Sequence, residues 1–108
     1  MPTVNIYFQN LSDTAPLSGK VLELRTYLAE ALSGSDITLS SAEVSIRFIK
    51  SHGGEMIAPV ELEISAHAFA ERVEKQDQIC LEVMKWIKEK IGLDTKVWLR
   101  LSELGHSW

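Results

Sequence analysis

Residues 60–66 read Val-Glu-Leu-Glu-Ile-Ser-Ala, with apolar and polar side chains in strict alternation. Because successive side chains of a strand point to opposite faces of a sheet, this stretch predicts a strand with one buried face. A helical pattern of apolar residues follows from about Val73 to Ile91, and Gly92 is suited to end that helix. A second alternating run, residues 97–101, comes next. Residues 55–108 therefore predict one βαβ unit.

The first half of the chain has the same order of elements. Residues Thr3 to Phe8 alternate as a half-buried strand, and a polar turn over residues 10–14 follows. Pro16 is predicted near the first helical position, where proline is tolerated. The apolar residues that then recur at helical spacing are Leu17, Val21, Leu24, Leu28 and Leu32. Residues 44–49 alternate again, so residues 1–54 predict a second βαβ unit.

Together the two units predict an α/β (α+β) fold in a single domain, residues 1–108, with repeat halves of about 1–54 and 55–108. We expect a four-stranded mixed sheet with two helices on one face. The other face combines large side chains with charged ones (Tyr7, Ile49, Trp98, Arg47, Lys96 and Arg100). Because a domain of this size has a limited core of its own, we expect a second copy of the chain to cover that face.

Composition excludes several classes of function. The 108 residues carry a formal net charge of −4, which does not attract nucleic-acid phosphates or anionic lipid. The single cysteine, Cys80, precludes an intrachain disulfide framework and a multi-cysteine zinc site, and a reducing cytoplasm fits that. No apolar run approaches the roughly 20 residues of a membrane span. We therefore expect a cytoplasmic protein with no nucleic-acid partner, no membrane partner and no bound metal.

The pair Met1-Pro2 lies directly before the first predicted strand. Removal of Met1 would leave Pro2 with a free secondary amine, whereas a peptide-bonded proline has no basic nitrogen. A free α-amino group has a pKa of about 7.7–8.0, and burial or a nearby cation lowers that pKa further. Such an amine can act as a general base at neutral pH. The alternative is a proline of no catalytic importance after the initiator methionine.

Further residues of the chain resemble a known family. Ser45-Ile46-Arg47-Phe48-Ile49 is similar to the second-strand segment that supplies an arginine in 4-oxalocrotonate tautomerases. Residues 62–76 resemble the third strand and following turn of carboxymethyl-hydroxymuconate isomerases, in which Arg72 corresponds to a turn arginine. With Met-Pro opening a strand and two consecutive βαβ units, the chain resembles the tautomerase superfamily. It is most similar to the members like 5-carboxymethyl-2-hydroxymuconate isomerase.

The resemblance implies a homotrimer with active sites at the subunit interfaces and no cofactor. Pro2 would move a proton between the atoms of a small carboxylated enol or dienol, so that the reaction is an isomerisation. Arg72 and Arg47 would bind the carboxylate of this small-molecule substrate, because a guanidinium offers it two donors. For Arg47 an intersubunit ion pair is the alternative, and for Arg72 a solvated turn residue.

Departures from the family leave other functions open. The loop after the first strand lacks the arginine that 4-oxalocrotonate tautomerases carry there, and the paired cysteines of macrophage migration inhibitory factor are absent. A dehalogenase or decarboxylase using a charged Pro2 is one alternative, with Glu103 as the group that activates water. A non-catalytic ligand-binding or assembly protein of the same fold is another. A ferredoxin-like sandwich has the same order of elements and stays an alternative fold.

Two further side chains are candidates for the site. Glu103 follows the last predicted strand, and an exposed carboxylate without a catalytic role is its alternative. Tyr7 can form an apolar pocket wall, although packing in the sheet or at an interface explains it as well. His106 could reach the predicted site through the C-terminal tail, and a mobile surface histidine is the favoured alternative.

Overall fold

The computed structural model describes residues 2–35, 37–51 and 53–102 and is organised around a four-stranded sheet. The strands are β1 (Thr3–Phe8), β2 (Ser45–Lys50), β3 (Val60–His67) and β4 (Thr95–Ser102), and their order in the sheet is β2-β1-β3-β4. Strand β1 is parallel to β2, and β3 is parallel to β4, whereas the central strands β1 and β3 are antiparallel. The predicted mixed sheet of two βαβ halves is confirmed.

Each parallel pair is joined through helices. The first connection contains α1 (Leu11–Ser18), α2 (Val21–Leu32) and a short 3-10 turn (Ser41–Glu43). The second contains α3 (Ala70–Glu74) and α4 (Gln76–Ile91). Gly92 ends α4 with φ +84°, a left-handed conformation that glycine adopts without steric cost, as its place in the sequence predicts.

The first helical region begins earlier than the sequence predicts. Residues 11–14, expected to be a turn, form the start of α1, and Pro16 lies inside that helix instead of at its first position. Proline has no N–H to donate to the carbonyl four residues earlier, and its ring crowds that carbonyl. The helix ends two residues later, and Gly19-Lys20 separates it from α2. The predicted turn was therefore wrong, while the buried positions Leu17, Leu24, Leu28 and Leu32 were right.

The second helical region is also divided, because a turn at Lys75 separates α3 from α4. The single predicted helix from Val73 to Ile91 merged these two elements. Ile79, Val83 and Ile87 nevertheless form the buried stripe of α4. The apolar period defines the packed face of a helix, and a one-residue break near its start leaves that period unchanged.

The core lies between the helices and one face of the sheet. On β1 and β3 the buried and half-buried positions alternate without interruption. The fully buried side chains include Val4, Ile6, Leu62 and Ile64 from the strands and Leu24, Leu28, Val83 and Ile87 from the helices. The opposite face, which we call the open sheet face, carries Arg47, Asn5, Glu63 and Trp98 in one row across the four strands.

No helix within the described ranges is long and apolar enough to span a membrane.

Candidate active site at the start of strand β1

Pro2 lies at the start of the central strand β1 and is buried. Its carbonyl oxygen accepts a hydrogen bond of 3.0 Å from the N–H of Ser45, the first residue of β2. The register of β1 pairs Thr3 with Ser45 on one side and Ser65 on the other, so Pro2 lies level with Val44 and Ala66. Both neighbours are buried. The pyrrolidine ring therefore has an apolar environment on the helix face of the sheet.

Arg72 is buried at the same end of the sheet, with 4% of its surface exposed. Its Nε and Nη2 donate to the carbonyl oxygen of Leu32, the last residue of α2, and its Nη1 donates to the carbonyl oxygen of His67 at 2.6 Å. The guanidinium carbon lies 4.2 Å from the centre of the Phe69 ring. Burial lowers the pKa of Arg72, although an arginine keeps its charge under all ordinary conditions. Arg72 thus joins the end of α2 to the end of β3.

A second set of contacts reinforces this junction. The carboxylate of Glu71 accepts hydrogen bonds from the N–H of Ser35 at 2.9 Å and from its hydroxyl at 2.8 Å. A Cβ atom at Gly34 would lie 2.7 Å from Oε2 of Glu71 and 2.9 Å from the Phe69 ring, so a larger residue there would displace both side chains. We call residues 32–35 and 67–72 the α2–α3 junction. It is held by contacts between segments that lie far apart in the chain.

The Glu71 contacts make the α2–α3 junction sensitive to acid. Hydrogen bonds from Ser35 and then from Lys75 hold the pKa of Glu71 below its ordinary value of 4.5. Because the folded state lowers this pKa, the stabilisation is complete above the ordinary value and is lost as the pH falls through the folded one. We therefore expect the melting temperature of the wild type to fall more steeply than that of Glu71→Gln between about pH 5 and pH 3. Thermal melts across that range, with Glu74→Gln as a control, check this, and parallel curves for the wild type and Glu71→Gln would contradict it.

The centre of the open sheet face contains a polar cluster around Glu63. Its Oε1 accepts hydrogen bonds from Nδ2 of Asn5 at 3.2 Å and from the hydroxyl of Tyr7 at 3.3 Å. Nε of Arg100 lies 4.0 Å from its Oε2. A cavity of about 390 Å³ adjoins the cluster and is also lined by Trp98. The Oδ1 atom of Asn5 is buried and has no hydrogen-bond partner among the described residues.

The structure divides the predicted site residues into two groups. Pro2 and Arg72 lie at the same end of the sheet and are both buried. Arg47 and Tyr7 lie on the open sheet face, where Arg47 is exposed and Tyr7 half-buried. Glu103 and His106 lie outside the described residues.

Sequence reasoning missed two carboxylates that organise these regions. Glu63 was assigned only to the polar side of an alternating strand, and Glu71 was not singled out. A glutamate at the centre of a half-buried strand indicates a polar cluster, because a partly buried charge needs hydrogen-bond partners. Glu71 carries no such signal, since its partner Ser35 is 36 residues away in the chain.

Within the described part of the chain, no group of three or more His, Cys, Asp or Glu side chains is arranged to hold a metal ion.

Comparison by sequence finds neither a matching family model nor a matching curated protein. Solved structures do match. A fused 4-oxalocrotonate tautomerase in a symmetric trimer is 14% identical, with a TM-score of 0.66, covering 97% of this chain and 91% of that one. A member of the cis-3-chloroacrylic acid dehalogenase family is 10% identical, with a TM-score of 0.67, covering 93% of this chain and 74% of that one. Malonate semialdehyde decarboxylase is 8% identical, with a TM-score of 0.64, covering 98% of this chain and 91% of that one. The two βαβ halves and their mixed sheet therefore have the fold of the tautomerase superfamily, as the sequence resemblance predicts.

Proposed function

We propose that this chain is a cofactor-independent tautomerase or isomerase of small carboxylated enols or dienols, with the nitrogen of Pro2 as general base after removal of Met1. The observation that supports this function best is the position of Pro2. It is buried at the start of the central strand in a fold shared with a tautomerase of known structure.

The proposed reaction needs only the Pro2 amine and the substrate. The nitrogen lone pair takes the proton of the enol hydroxyl while the oxygen becomes a carbonyl. The pyrrolidinium then returns a proton to the carbon that has gained the electron pair. Bonds and charges balance without an oxidant, reductant or metal, so the product is the keto isomer of the substrate.

The surroundings of Pro2 favour a neutral amine at physiological pH. Burial penalises the charged form of an amine, and a nearby cation does so as well. Pro2 lies between the buried residues Val44 and Ala66, and the guanidinium of Arg72 binds the carbonyl of the residue that follows Ala66. In this proposal the buried surroundings favour the neutral form of the Pro2 amine, which is the form that accepts a proton.

Arg72 remains the proposed carboxylate anchor, with a structural role beside it. Three of its five N–H groups donate to the carbonyls of Leu32 and His67. One N–H on each terminal nitrogen is left, and such a pair can hold a carboxylate in a bidentate manner. Arg47 is exposed on β2, so in this proposal it reaches a substrate only at a site shared between subunits.

The first test of the function is an assay of phenylenolpyruvate ketonisation by protein whose intact mass confirms that Met1 is absent. We expect a rate well above that of buffer alone. A rate equal to that of buffer, from folded protein with a free Pro2, would contradict the proposal.

We further propose a homotrimer in which neighbouring copies cover the open sheet face. The 39% exposed Trp98 supports an interface there, because a large exposed aromatic surface favours contact. Trp98→Asp places a charge in that contact, and we expect the mass measured by light scattering to fall from three chains to one. Leu22→Asp, on α2, is the control and should leave the trimer intact. A trimer that survives Trp98→Asp would exclude this face as the interface.

A second candidate is a non-catalytic ligand-binding or assembly protein of the same fold. The hydrogen bonds of Arg72 favour it, because they account for the guanidinium without a substrate. Dehalogenation and decarboxylation are further candidates, because one structural neighbour belongs to a dehalogenase family and another is a decarboxylase. Halide release from 3-chloroacrylates and decarboxylation of malonate semialdehyde distinguish those activities from ketonisation.

A further inference from the structure

A shallow groove of about 550 Å³ lies between α2 and α4, and it shares no lining residue with the Pro2 region or the open sheet face. Its volume is within the range of small-molecule sites. The lining residues used below are Leu22, Glu23, Tyr27, Glu30, Trp86 and Lys90. The groove belongs to the helical layer, so a subunit packed on the open sheet face would not cover it.

Two aromatic rings form one wall of this groove. The rings of Tyr27 and Trp86 are stacked with their centres 5.0 Å apart and their planes 16° from parallel. Both side chains are half-buried. The faces of aromatic rings carry partial negative charge and attract cations, with tryptophan the strongest.

Carboxylates surround the aromatic pair. Glu23 and Glu30 lie about one helical turn before and after Tyr27, and both line the groove. Burial, followed by the negative charges of Glu82 and Glu30, raises the pKa of Tyr27, which is consistent with a negative potential at the rings. Two lysines near the groove carry positive charge. Lys90 is one of the lining residues, and Nζ of Lys20 lies 3.7 Å from Oε2 of Glu23 in an exposed ion pair.

An exposed apolar side chain completes the groove. Leu22 is 67% exposed and stands beside Glu23 in the lining. A bare metal ion gains nothing from an aromatic pair and a leucine, whereas an alkylated nitrogen matches both and also the carboxylates. We propose that this groove binds a compact alkylammonium cation, with the charge over the Tyr27 and Trp86 pair beside Glu30 and the alkyl groups on Leu22.

The test uses choline and its neutral carbon isostere, 3,3-dimethylbutan-1-ol, titrated into the protein while the NMR signals are followed. We expect choline to shift the indole N–H signal of Trp86 and the neutral alcohol to bind at least about fivefold more weakly, since cation–π attraction contributes about 1–2 kcal/mol. Trp86→Leu should weaken choline binding about 5–30-fold for the same reason.

Variants of the charged side chains test the same groove without removing an aromatic ring from the packed helices. Glu30→Gln should weaken choline binding about 2–5-fold, and Lys90→Gln should strengthen it by a similar factor, as expected for exposed charges. Glu55→Gln makes the same charge change in an exposed loop and should have no effect. Equal binding of the neutral alcohol, or weaker binding after Lys90→Gln, would overturn the proposal. The groove requires no free Pro2, so choline binding is expected equally in protein that retains Met1.

Discussion

Protein that retains Met1 is expected to ketonise phenylenolpyruvate at least about 100-fold more slowly than protein that begins at Pro2, the lower end of the range for loss of a general base. The two forms contain the same chain and differ by one residue, so their comparison isolates the chemistry of one nitrogen. In the Met1 form that nitrogen belongs to a peptide bond and has no basic lone pair. Intact mass identifies each form, and kcat with the same substrate measures the effect.

Pro2→Ala is the matched variant for this comparison. Alanine keeps a free amine after removal of Met1 but loses the ring that holds the nitrogen in place, so we expect a kcat between those of the two forms. The rate of processed wild type should rise with pH as the Pro2 amine loses its proton, because only the neutral amine can accept one. Equal activity with and without Met1 would eliminate Pro2 as the base.

Arg72→Met is expected to lower the free energy of unfolding by about 1–3 kcal/mol, because the buried carbonyl of Leu32 is left without a donor at about that cost, while water can replace the donor to His67. Two carbonyls, those of Leu32 and His67, lose their partner in this variant. Methionine keeps the aliphatic part of the side chain but ends at the position of Nε, so the variant removes the donors together with the guanidinium contact on Phe69. Urea denaturation at one fixed protein concentration measures the change, since an oligomer links stability to concentration.

Two comparisons separate this effect from simple loss of charge. Lys85→Met removes a cation whose side chain is 74% exposed on α4, and we expect a change within about 0.5 kcal/mol. Arg72→Lys keeps the charge but cannot span both carbonyls, so its stability should lie between those of Arg72→Met and the wild type. If Arg72→Met and Lys85→Met had equal stability, the proposed cross-link would contribute nothing.

Much of the fold follows from local patterns in the sequence. The alternation of residues 3–8 and 60–66 predicts both central strands and assigns each side chain to a face. The apolar period of residues 79–87 likewise identifies the packed side of α4. Errors are confined to the ends of helices, at Pro16 and Lys75, where a break of one or two residues hardly alters the period.

The candidate site is only partly visible in the sequence. Met1-Pro2 before a strand makes Pro2 a candidate base, and the two βαβ halves with Arg47 and Arg72 are what support that prediction. Arg72 has no comparable signal, because an arginine in a turn fits a solvated, a substrate-binding or a structural role equally well. Its burial excludes the solvated role, and its hydrogen bond to Leu32, 40 residues away in the chain, gives it a structural role without excluding substrate binding.

The sequence by itself determined which face of β1, β3, β4, α2 and α4 is buried, because hydrophobic periodicity is a property of neighbouring residues. Only the tertiary structure decided the strand order and the partners of Arg72, Glu71 and Glu63. Those contacts join residues that are far apart in the chain and meet only when it folds. The hydrophobic pattern of neither segment indicates which other segment it will contact. The same reason explains why the groove between Tyr27 and Trp86 emerges only when α2 and α4 lie side by side.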